Sequence, residues 1–458
     1  MSGYAVINPA TGETVEEFPF PTEEELESVL ATAAAAQREW AARTIAERAA
    51  VVNRAAALFT ERKAELAEII GIEMGKRLSE GVEEAEFSAD ILAYYADRAE
   101  TFSADLPLEA NPGDRAVVER KPIGVILGIM PWNFPYYQVA RFAAPNLMVG
   151  NAVIVKHAEI CPRSAAAIEQ IMVDAGLPAG LYTNVYASHD QISTMIADRR
   201  IAGVSLTGSE RAGRKVAAQA GANLKKAVLE LGGSDPYIVL DTEDVTAAAD
   251  LAWSTRMYNT GQVCNANKRL IVFDDIYDEF VAELERLATL ETPGDYTSDD
   301  PSVYQPLSSR RAAEGLAAQL KDAAEAGAHI VGGELSDQGA YVSPAVVTGI
   351  PVGSEVYYQE LFGPVAIVFK VSSDAEAVEL ANNTQFGLGA SVWSTDLERA
   401  ERVGAQLDAG MVQINTAAGE GAQIPFGGVK NSGFGRELGP IGMDEFVNKR
   451  LYYVGEKA

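Results

Sequence analysis

The 458-residue chain sets 37 Lys and Arg against 65 Asp and Glu, a formal charge of −28, with 48% hydrophobic residues and two cysteines. That length and apolar content call for two or three domains rather than one core. The acidic balance argues against nucleic acid as a partner and suits a solvated surface; two cysteines without a CxxC pair and an acidic N-terminus argue for a reducing cytoplasm; and apolar runs such as 125–130 stop well short of the ~20 residues of a membrane span.

In chain order, PTEEEL (21–26) predicts a helix start, with Thr22 and Glu25 at the spacing of a capping box. Apolar positions amid charge then predict helix to about residue 78, with a break near 42–46, and more helix over 80–99. An all-helical opening is expected. From residue 123 the texture changes to short apolar runs: IGVILGIM (123–130), AVIVK (152–156), LYTNVY (181–186), IAGVSLTG (201–208) and KAVLEL (226–231). Most are followed by a helical stretch. Their continuous Val/Ile/Leu character suits strands buried on both faces of a parallel sheet, whose ligand belongs beyond the C-terminal strand ends. A second α/β stretch, about 234–423, has predicted strands at YIVL (237–240), RLIVF (269–273), VAIVFKV (365–371), ASVW (390–393) and MVQIN (411–415).

Several stretches carry chemistry. NTGQVCNAN (259–267) sets Cys264 among small polar residues, an odd place for a structural thiol; Cys161, before Pro162 at a helix start, reads as packing. No true G-x-G-x-x-G occurs. TGSERAG (207–213) follows a strand and opens a helix, so Gly208, Ser209 and the backbone amides could hold a pyrophosphate; a plain strand-to-helix turn fits it equally. Lys156 and Glu159, at another strand end, could contact ribose hydroxyls or form a surface ion pair. PWNFP (131–135) holds Asn133 on a stiff loop between two prolines, suited to an oxyanion donor or to a capped turn. ELGGSDP (230–236) ends a strand with Glu230, where desolvation would raise a carboxyl's pKa and make it a general base, and its glycine pair would let backbone approach a ligand. No metal site is expected.

Together with QELFGPV (359–365) and PFGGVKNSGFGRE (425–437), these motifs in this order resemble the NAD(P)-dependent aldehyde dehydrogenase superfamily over essentially the whole chain, and most nearly its succinate-semialdehyde group. The resemblance implies an α/β fold with a Rossmann-like cofactor domain (1–105 and 123–231), a catalytic domain (232–431) and a small β arm with the C-terminal tail (106–122 and 432–458) that joins subunits into a homodimer or homotetramer. It implies Cys264 as nucleophile, Asn133 as oxyanion donor and Glu230 as the base that releases the acid from a thioester, so that no histidine is needed. Nearby amides or the oxidised cofactor would lower the thiol's pKa modestly. Trp132, Lys156, Glu159, Gly208, Ser209, Glu360 and Phe362 would bind the cofactor, ranked as NAD before NADP because Glu159 would face the 2′-phosphate.

Arg141, nine residues after Trp132, matches an arginine that binds the distal carboxylate in the succinate-semialdehyde group; pairing with an acidic side chain is the competing expectation. The second arginine of that group is replaced by Tyr258, with Arg256 the nearest arginine. The expected substrate is therefore a short semialdehyde acid, with a general aliphatic aldehyde as alternative. Three other readings make different demands. A CoA-acylating relative needs no hydrolytic base, a non-catalytic descendant would be free to lose Cys264, Asn133 or Glu230, and a cofactor-free cysteine hydrolase leaves TGSERAG and QELFGPV unexplained.

Overall fold

The computed structural model describes residues 3–416 and 421–455. Thr22 starts the helix Glu23–Ala42 with the expected capping box, its hydroxyl accepting from Glu25 N–H while the Glu25 carboxylate accepts from Thr22 N–H. The chain turns at residues 43–44, where Thr44 and Glu47 form a second such box for Ile45–Glu61. Lys63–Met74 and Leu78–Ser103 follow. The opening is not all helical, however. Gly3–Ile7 and Thr14–Pro19 form an antiparallel hairpin. Thr14–Pro19 is almost wholly exposed and carries no apolar alternation, so nothing local marks it as a strand. Its partner provides the anchor: Tyr4, Ala5 and Val6 are buried, and Ala5 N–H donates to the Glu159 carbonyl at 3.0 Å.

The five apolar runs from residue 123 become the parallel strands of a six-stranded sheet, in the order Gly433–Phe434, Lys226–Glu230, Ile201–Thr207, Val125–Met130, Ala152–His157, Tyr182–Asn184. Val125–Met130 has later strands on both sides, so the order reverses at its C-terminal end, the place where an open α/β sheet leaves a crevice for ligand. PWNFP leaves from that end. The second stretch forms a seven-stranded sheet, His329–Gly332, Ala345–Thr348, Val365–Val371, Arg269–Phe273, Pro236–Val239, Gly389–Trp393, Met411–Ile414, parallel except for its first pair. Leu106–Leu108, Arg115–Pro122 and Val447–Val454 make a separate antiparallel three-stranded sheet. Its Leu451, Tyr452, Tyr453 and Val454 are exposed.

One segment departs from the boundaries read off the sequence. Gly433–Phe434 adds antiparallel to Lys226–Glu230, with Gly433 opposite Glu230, so the chain just after 432 belongs with the first sheet; the three-stranded sheet takes up only Val447–Val454 from this end of the chain. Two-residue strands leave no periodicity to read, and this one exists only through its distant partner. No helix among the described residues is long and apolar enough to cross a membrane.

Candidate active site

The strand ends of the first sheet and two loops of the second converge on a cavity of about 240 Å³ lined by Trp132, Asn133, Gln138, Thr207, Gly208, Ser209, Glu230, Gly232, Cys264, Glu360 and Phe362, among others. Cys264, Asn133 and Glu230 thus face one space although up to 131 residues separate them in the chain. Asn133 is 4% exposed and held on both sides: its Nδ2 donates to the Gln262 carbonyl at 3.0 Å, and its own carbonyl accepts from Asn259 Nδ2 at 3.1 Å. One amide hydrogen is spent on Gln262, and the second remains for a ligand.

The loop bearing Cys264 is tied down by Lys268, a fully buried lysine whose Nζ donates to the Val263 and Cys264 carbonyls, each at 2.7 Å, and lies 3.1 Å from Glu360 Oε1. Glu360 also accepts from Gly233 N–H at 3.1 Å. The glycine pair therefore serves a close approach, though not the one expected. A Cβ on Gly232 would stand 2.3 Å from Glu360 Oε2, and one on Gly233 would stand 2.6 Å from the Cys264 carbonyl. These glycines let protein approach protein, so that the two loops can meet.

Burial pushes the Cys264 thiol up to about 12; Arg141 and Lys268 pull it down less strongly than desolvation raises it. The protein's own groups thus do not supply the expected lowering, and the thiol needs a base to take its proton during reaction. Glu230, 2% exposed, has no hydrogen-bond partner on either carboxylate oxygen among the described residues. Burial raises it well above the ordinary carboxylate range, against Arg141, which favours the charged form, and with Glu437, which opposes it. A desolvated, unpartnered carboxyl facing a thiol is chemically equipped to accept a proton.

The two residues expected to bind substrate are both engaged by other parts of the protein. Arg141 has no exposed surface and does not line the cavity. It forms an ion pair with Glu437, donates to Tyr137 Oη at 3.1 Å and Thr207 Oγ1 at 3.4 Å, and lies 4.3 Å over the Phe426 ring. Burial works against its charge, but Glu437, together with Tyr137, Glu230 and Cys264, outweighs that, so its pKa goes up. A guanidinium already matched by a carboxylate has little to offer a second one. Tyr258 stacks on Phe134 and donates to Glu83 Oε2 at 3.2 Å; burial and then Glu80, Glu83 and Glu84 hold its pKa high, and surroundings so acidic repel a carboxylate.

Trp132 lines both the catalytic cavity and a cleft of about 1270 Å³ that includes Glu159, Ser188, His189, Ser308 and Arg311. Its ring meets Phe362 edge-on at 5.7 Å. Lys156 Nζ lies 2.6 Å from Glu159 Oε1, and His189 Nε2 lies 3.5 Å from the same oxygen. Ser209 caps the helix Glu210–Ala222, accepting from Ala212 N–H at 3.4 Å. A Cβ on Gly208 would meet nothing nearer than 3.9 Å, so the backbone there faces open space. Cys161 is fully buried against the Trp132 carbonyl, and His157, lowered to about 4 by burial, is bonded at 3.0 Å to the Pro135 carbonyl beneath the same loop.

Four side chains around the cavity carry roles that the motifs did not announce: Lys268, Gln138, Arg256 and Glu437. Glu437 ends the PFGGVKNSGFGRE motif and so lay within a stretch already singled out, whereas Lys268 falls just past the end of NTGQVCNAN. Gln138 and Arg256 had no local signal beyond their nearness to Asn133 and Cys264.

The model of the aldehyde dehydrogenase family matches residues 2–451. A succinate-semialdehyde dehydrogenase (NADP+) of Deinococcus radiodurans is 50% identical over 450 residues, covering 98% of this chain and 94% of that protein. A succinate-semialdehyde dehydrogenase (NADP+) of Mycobacterium tuberculosis is 42% identical over 455 residues, 98% and 99% of the two chains. The crystal structure of the Streptococcus pyogenes succinic semialdehyde dehydrogenase in complex with NADP+ superimposes with a TM-score of 0.95 at 42% identity, covering 99% of this chain and 100% of that one.

Proposed function

Because this chain belongs to the aldehyde dehydrogenase family, an oxidoreductase family acting on aldehydes with NAD(P), we propose that it oxidises a short semialdehyde acid, such as succinate semialdehyde, at Cys264. The observation that carries the reading is the meeting of Cys264, Asn133 and Glu230 on one cavity. The names borne by full-length relatives at 42–50% identity support the substrate class.

The residues fit a dinucleotide. Bare backbone at Gly208 opens onto the cavity at a helix N-terminus, Lys156 and Glu159 stand at the neighbouring strand end, and Trp132 links their cleft to Cys264. Gly208 and Ser209 would hold the pyrophosphate, Lys156 and Glu159 the adenosine ribose, and Glu360 with Phe362 the nicotinamide ribose side. When bound, the cofactor supplies the oxidising equivalent. The chain does the rest. Glu230 takes the thiol's proton, directly or through a water; the sulfur adds to the aldehyde carbon; and the oxyanion receives the free Asn133 hydrogen and the Cys264 N–H. After oxidation Glu230, having passed that first proton to solvent, deprotonates the water that cleaves the thioester. Incubating the protein with succinate semialdehyde, butanal and both cofactors tests the reading. Reduced cofactor should appear, with kcat/KM higher for the semialdehyde; equal values would make the chain a general aliphatic aldehyde dehydrogenase.

Choice between NAD and NADP turns on one carboxylate. The relatives' names carry NADP+, whereas ranking NAD first rests on Glu159. Burial pushes Glu159 up, but Lys156, a backbone hydrogen bond and His189 together outweigh it and the net shift is downward, so Glu159 is ionised at neutral pH. Two unit charges ~4 Å apart interact by about 4 kcal/mol at an effective dielectric near 20, and a third of that is about tenfold. Glu159→Gln should therefore raise the ratio of kcat/KM for NADP over NAD about tenfold. A ratio moving less than twofold would remove Glu159 from cofactor selection.

We also assign the three-stranded sheet, with its exposed Leu451–Val454 edge, to pairing of subunits in a homo-oligomer, and the cytoplasm as the compartment.

A further inference from the structure

Gln138 lies on the first turn of the helix Tyr137–Val149, whose start is pinned by Glu84: one carboxylate oxygen accepts from Tyr136 N–H at 2.8 Å and from Tyr137 N–H at 3.2 Å. Glu84 is in turn bonded to the fully buried Lys76. The backbone at Gln138 is therefore fixed, its own N–H donating to the Phe134 carbonyl at 3.0 Å. Its side chain is 1% exposed and lines the Cys264 cavity, yet neither Nε2 nor Oε1 has a hydrogen-bond partner among the described residues. A buried amide with all its capacity unspent is rare in a native protein and points to a partner that arrives with a ligand.

Three other polar side chains of the cavity each have a protein partner already. Asn133 is held by Gln262, Ser209 caps a helix, and the Thr207 hydroxyl oxygen accepts from Arg141. Glu230 is an acceptor when it is ready to act as base. That leaves Gln138 as the buried amide with no partner at all among the described residues, its Nε2 able to meet an anionic group. Arg141 follows three residues later on the same face of the same helix. It does not itself line the cavity, reaching only the Thr207 hydroxyl, but its charge is felt at both Glu230 and Cys264. A donor in front and a buried cation behind suit a carboxylate, whereas the end of an alkyl chain would leave the amide as unpaired as before.

We propose that Gln138 is the residue that recognises the distal carboxylate of the substrate, its Nε2–H donating to a carboxylate oxygen while the aldehyde carbon lies at Cys264. The assignment rests on the semialdehyde reading above and replaces direct contact by Arg141 or Tyr258. One charge-assisted hydrogen bond is worth about ten- to hundredfold in affinity.

The test compares succinate semialdehyde with butanal in the unaltered protein, Gln138→Leu and Gln138→Glu. In Gln138→Leu the ratio of kcat/KM for the semialdehyde over butanal should fall about tenfold or more through KM, and Gln138→Glu should lower it further by charge repulsion. Succinate should slow alkylation of Cys264 by iodoacetamide in the unaltered protein and lose that protection in Gln138→Leu, a readout independent of turnover. Folding is checked by melting temperature, which should hold in Gln138→Leu because an unpaired buried amide has been removed. If the unaltered protein prefers the semialdehyde and the preference and protection survive Gln138→Leu, the assignment of Gln138 alone is overturned. If the unaltered protein shows no preference, the substrate reading falls and this assignment falls with it.

Discussion

Cys264→Ala should show no turnover of any aldehyde, whereas Glu230→Gln should retain a single burst of reduced cofactor, of at most one equivalent per site, followed by almost no steady rate. The burst should be slower than in the unaltered protein, because Glu230 also takes the thiol's proton, and it separates the two roles: sulfur is needed to form the acyl-enzyme, while the carboxylate is needed most to activate the water that releases it. Because burial raises both Cys264 and Glu230, the unaltered protein should gain kcat/KM as pH climbs from 7 to 9. Stability should run the other way. A carboxyl whose folded pKa lies above its unfolded value contributes fully below the unfolded pKa, and the contribution is lost as pH rises through the folded one. Gln cannot ionise, so Glu230→Gln should melt above the unaltered protein at pH 9, with the gap narrowing towards pH 5. A burst from Cys264→Ala, or steady turnover from Glu230→Gln near that of the unaltered protein, would end the assignment.

Arg256→Met should lower the melting temperature and disable catalysis together. Arg256 is fully buried and is bonded to no carboxylate among the described residues. Its Nε donates to the Val365 carbonyl at 2.8 Å, Nη1 to Gly261 at 3.0 Å, and Nη2 to Leu361 at 3.0 Å and Gly363 at 2.6 Å. One guanidinium thus joins the turn that leads into Cys264 to the loop that carries Glu360 and Phe362. Burial lowers its pKa to about 9, with Glu360 pulling upward, so it is charged at neutral pH. Each buried carbonyl left without a donor costs about 1–3 kcal/mol, and four sharing one donor give on the order of 4 kcal/mol once the loops relax. Arg256→Lys should recover only part of this, since a single ammonium cannot reach four carbonyls arranged around a planar fork. Full recovery by Lys would mean that charge alone matters and would sink the clamp.

Much of this architecture could be read from the chain. Continuous apolar runs identified the parallel strands because a strand buried on both faces has no polar side to show, and Thr22 with Glu25 located the first helix because a capping box is satisfied within four residues. The N-terminal hairpin escaped because Thr14–Pro19 is exposed, acidic and stabilised from outside itself. The chemical groups were legible for a related reason. Cys264, Asn133 and Glu230 sit in motifs whose glycines and prolines shape the local backbone, and the order of those motifs identified the family.

What the sequence by itself determined was therefore the set of elements, the reacting groups and the class of reaction, all of which depend on residue types at short separation. The tertiary structure alone decided which charges meet. Arg141 looked free for a substrate until Glu437, 296 residues later, was found against it. The Cys264 thiol looked ready for a lowered pKa until its burial outweighed both nearby cations, and Gln138 carried no signal until the fold left its buried amide without a partner among the described residues. Hydrogen-bond satisfaction and desolvation are sums over all neighbours in space, and no stretch of chain contains the neighbours that the fold brings to it.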